Sequence, residues 1–357
     1  MYLHEKIGDL DKYLQDIEER MDEQEEEMIW NHWLNYANEG VDFNKPYPSR
    51  KPKTSKIDWP DVKINEALED ETLMLYTVYR GVSKNLENPT VRLHNIRPNY
   101  GVGILPNAFA NVEYFVMDAE QNMLPNVRSV KGGTQEIERL ASEPIPNVYS
   151  NVGKKVFSIG KKFMEIAKRY PKIAKYVKID HPDCQGPMDV CELLWGSDIF
   201  FELYESEELA HALLRKVTDF YKAFLDEWFK IVPNDICYHS FYGKLVKGRI
   251  LVRDDSATNL SPDFFRQFIL PYDEEVLLHF GGGAIHFCGK GDHFIPIFKE
   301  IKGLNGVDMS QPHLNDVDLV LSNTVDVGIR LSTADMDCVF EKKDSNHNMN
   351  LVSAVPN

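Results

Sequence analysis

From residue 250 onward, short apolar runs alternate with amphipathic stretches at spacings of roughly 20 to 40 residues. Ile250-Leu251-Val252, the run 284–288, Val307-Asp308-Met309 and Ile329-Arg330-Leu331 read as strands. Between them lie three helices. The first is capped by Ser261 and carries Phe264, Phe265, Phe268 and Ile269, the second ends near Lys302, and the third covers 314–327. Strands joined through helices run parallel, because a parallel pair needs a crossover long enough to hold a helix. A doubly wound sheet would be expected to carry a dinucleotide fingerprint, and Tyr100-Gly101-Val102-Gly103 lacks the rest of one. The expected fold is therefore α/β, a closed (β/α)8 TIM barrel.

The first half fits the same plan. Residues 61–89 read as helix, 90–96 and 112–117 as strands, 152–170 as helix, and Tyr176-Val177-Lys178-Ile179 as a strand. Residues 197–231 carry Phe200, Leu203, Leu209, Leu213, Leu214, Val217, Phe220, Phe224 and Trp228 on a 3.6-residue period. Ahead of the barrel, residues 1–39 form an acidic helical arm. Leu10, Tyr13, Leu14 and Ile17 make its stripe, and Trp30, Trp33 and Leu34 dock it onto the body or onto a second subunit, so a homodimer is one expectation. Pro46, Pro48, Pro52 and Pro60 mark an extended connector. The expected division is arm and connector over 1–60, barrel over 61–340 and a polar tail over 341–357.

A net charge of −16 argues against nucleic acid or an anionic membrane as a partner, since both demand a positive surface. No apolar run approaches the ~20 residues that span a bilayer, and the N-terminus has no secretory pattern. Five scattered cysteines without a CxxC pair suit a reducing compartment, so a cytoplasmic protein is expected.

In such a barrel the chemistry gathers at the carboxyl ends of the strands. Those ends carry polar residues in excess of what packing needs. His94, Arg97, Asp183, Gln185, His239, Tyr242 and Gln311 are candidates for binding a small-molecule substrate. Asp254 and Asp255 are candidate acid–base groups. Neighbours on an extended strand point to opposite faces, so one of the two is expected to face the pocket. His286 and Cys288 stand two apart on one strand and so share a face, as a zinc ion held by imidazole and thiolate requires. A buried pair that only packs fits the same spacing. Cys338 is the candidate third ligand, with Cys184 as the alternative.

The runs Asp254-Asp255, Leu260-Ser261-Pro262-Asp263-Phe264-Phe265-Arg266, Leu270-Pro271-Tyr272 and His286-Phe287-Cys288-Gly289 resemble the uroporphyrinogen decarboxylase superfamily. Gly186-Pro187-Met188 and Ser310-Gln311-Pro312 add to the likeness, which covers roughly residues 90–333. The resemblance implies a (β/α)8 barrel with one of two chemistries. One branch decarboxylates acidic tetrapyrroles without metal, using an arginine-rich motif and a cleft Asp. Here Arg92 and Arg97 stand without the full motif, and Asp118 is the counterpart of the Asp. The other branch holds zinc through His-x-Cys and a distal Cys, and moves a methyl group between a corrinoid protein and a thiol such as coenzyme M. His286 and Cys288 match that motif, whereas Cys338, in Met336-Asp337-Cys338-Val339, departs from the usual glycine-rich turn. The expected function is thus a zinc-dependent methyltransferase using a corrinoid. The alternatives are a metal-free decarboxylase of a carboxylated pyrrole and a non-catalytic barrel that binds a corrinoid or tetrapyrrole.

Overall fold

The structure, a computed structural model, describes residues 7–118, 120–333, 337–343 and 345–354. Within the described residues the arm carries α1 (Asp11–Arg20) and α2 (Glu23–Asn38). Asp22 caps α2 by accepting from the amides of Gln24 and Glu25, which lets the acidic run that follows begin a helix with its charges near the positive end of the dipole. The arm folds back on the body. Trp33 is fully buried and its indole N–H donates to Val91 O at 2.8 Å, and Tyr36 Oη donates to Leu331 O at 2.9 Å.

The connector leads to α3 (Ile64–Glu69) and α4 (Glu71–Leu86), then β1 (His94–Ile96) and α5 (Ile104–Ala110). The strand expected over 112–117 is only β2 (Tyr114–Phe115). It pairs antiparallel with β3 (Asn126–Val127), outside the parallel sheets. Next come α6 (Gly133–Ser142), α7 (Val152–Ala167), α8 (Pro171–Tyr176), β4 (Val177–Ile179), α9 (Pro187–Trp195), α10 (Ile199–Glu205) and the long α11 (Glu207–Ile231). The apolar stripe of α11 is buried throughout, from Leu213 to Trp228.

Sequence periodicity did not reveal the next element. β5 (Tyr238–Phe241) and β6 (Lys244–Lys247) form an antiparallel hairpin turning at Tyr242-Gly243, both at positive φ (46° and 81°). Two successive left-handed residues make the turn that matches the twist of paired strands. The hairpin is buried on both sides. Phe241 and Val246 pack on Leu251 and Ala284, while Leu245 joins Ile29, Trp33, Tyr36, Val91 and Leu93.

β7 (Ile250–Arg253), β8 (Gly283–Phe287), β9 (Leu304–Met309), β10 (Arg330–Thr333) and β11 (Val352–Ala354) form a five-stranded, all-parallel sheet. β1 and β4 make a separate parallel pair, so the architecture is mixed α/β with parallel sheets. The loop after β4 reaches across, with Gly186 N donating to Arg253 O at 2.7 Å. Helices α12 (Pro262–Phe264) and α13 (Leu270–His279) follow β7 and flank a π-helical turn over 265–269 where Pro271 cannot supply an amide. The helix expected to end near Lys302 is a 3-10 turn, Ile295–Glu300. That expected over 314–327 divides into α14 (Val317–Asn323) and a 3-10 turn. α15 (Asp337–Phe340) precedes β11, so part of the segment read as a polar tail is a sheet strand. No described helix is long and apolar enough to cross a membrane.

Candidate metal and anion site

One row of the parallel sheet organises the site. Arg253, His286, Asp308 and Ser332 stand in register across β7, β8, β9 and β10, so their side chains leave the same face near the carboxyl ends of the strands. His286 Nδ1 donates to Asp308 Oδ2 at 2.7 Å. The other oxygen of Asp308 accepts from Lys244 Nζ and from Ser332 Oγ, each at 2.6 Å. Burial alone would raise the Asp308 pKa, but Lys244 and His286 outweigh it and hold the carboxyl well below the usual range. Burial likewise opposes charge on His286, yet Asp308 and Cys288 prevail and raise its pKa to about 10. The tie through Nδ1 leaves Nε2 directed at Cys288, whose Sγ lies 3.6 Å away.

Asp255 supplies the third donor. It sits in the 3-10 turn after β7, and its Oδ1 accepts from Cys288 N at 2.7 Å. One ligand atom from each of Asp255, His286 and Cys288 lies within 4.8 Å of the other two. Imidazole, thiolate and carboxylate together suit zinc. Asp308 behind His286 is the kind of carboxylate that fixes a metal-bound imidazole in one tautomer. Among the described residues, Cys338 is not in this group. It lies half-buried on α15. Cys184 is buried with its thiol pKa pushed up by desolvation, and it too lies outside the group.

Beside the donors is a positive cluster. Asp183 carries both guanidiniums, with Arg97 Nη2 donating to Oδ2 at 2.9 Å and Arg253 Nε 2.9 Å from Oδ1. The Arg253 contact is an ion pair without hydrogen-bond alignment, which leaves that N–H unsatisfied. Two cations share one carboxylate, so the cluster keeps a net positive charge. Gln185 Nε2 donates to Asp183 Oδ1 at 3.1 Å. Tyr242 completes the wall. Its ring lies under the Arg97 guanidinium at 5.5 Å and 6.0 Å from the His286 ring. Burial would raise the Tyr242 pKa, but Arg253 and Arg97 bring it below the ordinary phenol value. Gln311 closes the rim by accepting from Gly289 N at 2.5 Å.

Three other candidates are placed elsewhere. His94 is buried against the arm, with Nε2 3.2 Å from Glu26 Oε1 and Nδ1 2.9 Å from Asn85. His239 is buried in the hairpin, stacked on His181 at 4.5 Å, and burial keeps it neutral. Asp254 points inward, as the alternation of a strand end demands. Its two carboxyl oxygens and those of Asp273 meet no amide, hydroxyl or cation. The two carboxyls face each other, and burial raises both pKa values, so the neutral forms are favoured. Asp308 and Lys244 were not singled out from sequence, nor was Asp189, whose carboxylate accepts from the amides of Asp255 at 3.0 Å and Ser256 at 2.8 Å. The available signal was a charged residue inside an otherwise apolar strand, Val307-Asp308-Met309.

No protein-family model matches the chain, and no curated protein does. Among solved structures, the chain is similar to a methyltransferase from Methanosarcina mazei. The TM-score is 0.61 over 92% of each chain, at 13% sequence identity. At that identity the likeness is one of fold.

Proposed function

We propose that this protein is a zinc-dependent methyltransferase on a (β/α)8 barrel, moving a methyl group between a corrinoid, carried by a partner protein, and a thiol. The observation that carries the reading is the convergence of His286 Nε2, Cys288 Sγ and an Asp255 oxygen on one point, with Asp308 locking the imidazole. The fold likeness to a methyltransferase supports it. Asp255, His286 and Cys288 would hold the ion and leave a position for substrate. Zinc bound there supplies the charge that keeps an added thiol deprotonated near neutral pH.

The chain's own residues do the rest. Asp308 holds one His286 proton on Nδ1, so the proton that zinc displaces is the one on Nε2. Asp183 aligns Arg97 and Arg253 beside the donors, and their uncompensated charge suits an anionic group on the substrate. Tyr242 at the hairpin tip bounds the space between that charge and His286. Metal analysis after zinc-replete expression should return about one zinc per chain. His286→Ala and Cys288→Ala should each lose it. Methyl transfer from methylcobalamin to a thiol should follow zinc content. Release of CO2 from uroporphyrinogen by zinc-free protein would overturn the reading in favour of a decarboxylase.

A further inference from the structure

A cavity of about 270 Å³ lies at the opposite end of the hairpin from the zinc donors. The hairpin fixes which end this is. Its base is tied by Gly248 N to Cys237 O, and the next residue, Arg249, donates to Gly282 O just before β8 begins. Its tip, Tyr242, faces His286 near the end of β8. The cavity is walled by the base of the hairpin, by β4 and by the arm. Val177, Val232, Leu245 and Trp30 give it an apolar body.

The wall is not wholly apolar: Asn234, Asp235, His239 and Ser240 also line it, and so does one lysine. Lys178 is half-buried and lies over the Trp30 indole, with Nζ 4.1 Å from the ring centroid. Its hydrogen bond goes to a neutral group, Lys175 O, at 2.8 Å. Glu27, Asp235 and Glu26 act on it through space, and among the described residues none makes an ion pair with it. An ammonium held by one carbonyl and an aromatic face keeps a donor for an anion. We propose that this cavity, between Trp30, Lys178 and the hairpin base, is a second ligand site for a small organic carboxylate with an apolar body. The carboxylate pairs with Lys178, and the apolar body fills the space against Val177, Val232 and Leu245. The site is separate from the zinc donors and does not depend on the proposed reaction.

Calorimetric titration of the full-length protein with 4-phenylbutyrate, hexanoate and benzoate tests this, with 4-phenylbutyramide as the neutral control. At least one acid should bind saturably, and 4-phenylbutyrate should bind about tenfold tighter than its amide. Lys178→Met should erase the acid–amide difference. Ala167→Phe, which fills the cavity, should abolish binding of both, with folding checked by circular dichroism. Cys288→Ala should bind as the unaltered protein does. No saturable binding of any of the three acids up to about 5 mM, equal affinity for acid and amide, or undiminished binding by a folded Ala167→Phe or Lys178→Met variant would each overturn the assignment.

Discussion

His286 depends on Asp308 more than on any neighbour in sequence. Asp308 is itself held by Lys244 and Ser332, so the ring orientation rests on three strands and the hairpin. Replacing Asp308 by Asn keeps the shape but removes the charge that favours the Nδ1–H tautomer. Zinc affinity of Asp308→Asn, measured by chelator competition, should fall about 10- to 100-fold. An unchanged affinity would mean that Asp308 only braces the fold. With no metal bound, the raised His286 pKa means that the ring holds its proton well above neutrality. Zinc binding near neutral pH must therefore displace that proton, and affinity should increase as pH rises toward about 10.

At the scale of elements, the contact between β7 and α13 buries the Asp254–Asp273 pair. Both folded pKa values are raised by burial, so the folded chain binds protons more tightly than the unfolded one. The sign follows from linkage. The pair's contribution is fully present below the ordinary Asp pKa of about 3.9 and is lost as pH rises through the elevated folded values. Asp273→Asn removes one titrating carboxyl and gives Asp254 an amide donor. Thermal unfolding from about pH 5 to 8 should show the variant gaining on the unaltered protein as pH increases. Parallel curves would show that the pair carries no proton-linked strain.

Over the whole molecule, the arm belongs to the core. Trp33 packs with Val91 and Leu93, just ahead of β1, and with Leu245 of the hairpin, with no exposure, and its indole N–H is satisfied by Val91 O. Trp33→Ala should cost about 3–5 kcal/mol, read from denaturant unfolding, because a large cavity and an unmet carbonyl are left behind. A loss under about 1 kcal/mol would show that the arm is dispensable to the body.

The periodic pattern of apolar residues by itself determined much of this protein. The succession of strands between residues 250 and 331, the helical arm, and the placing of His286 and Cys288 two residues apart all follow from local periods of 2 and 3.6. Sequence could also say that one member of Asp254-Asp255 would face the site. Which member, and what stood opposite, was decided by tertiary structure. Asp255 came to lie within 4.8 Å of His286 and Cys288, while Cys338 sits on α15 outside the group. Asp308 met His286 because two strands 22 residues apart paired in register. The hairpin at 238–247 was hidden for a physical reason. Both its faces are buried, so it shows none of the alternation by which a half-exposed strand is recognised. Such pairings depend on distances closed only when the chain packs, and no local pattern encodes them.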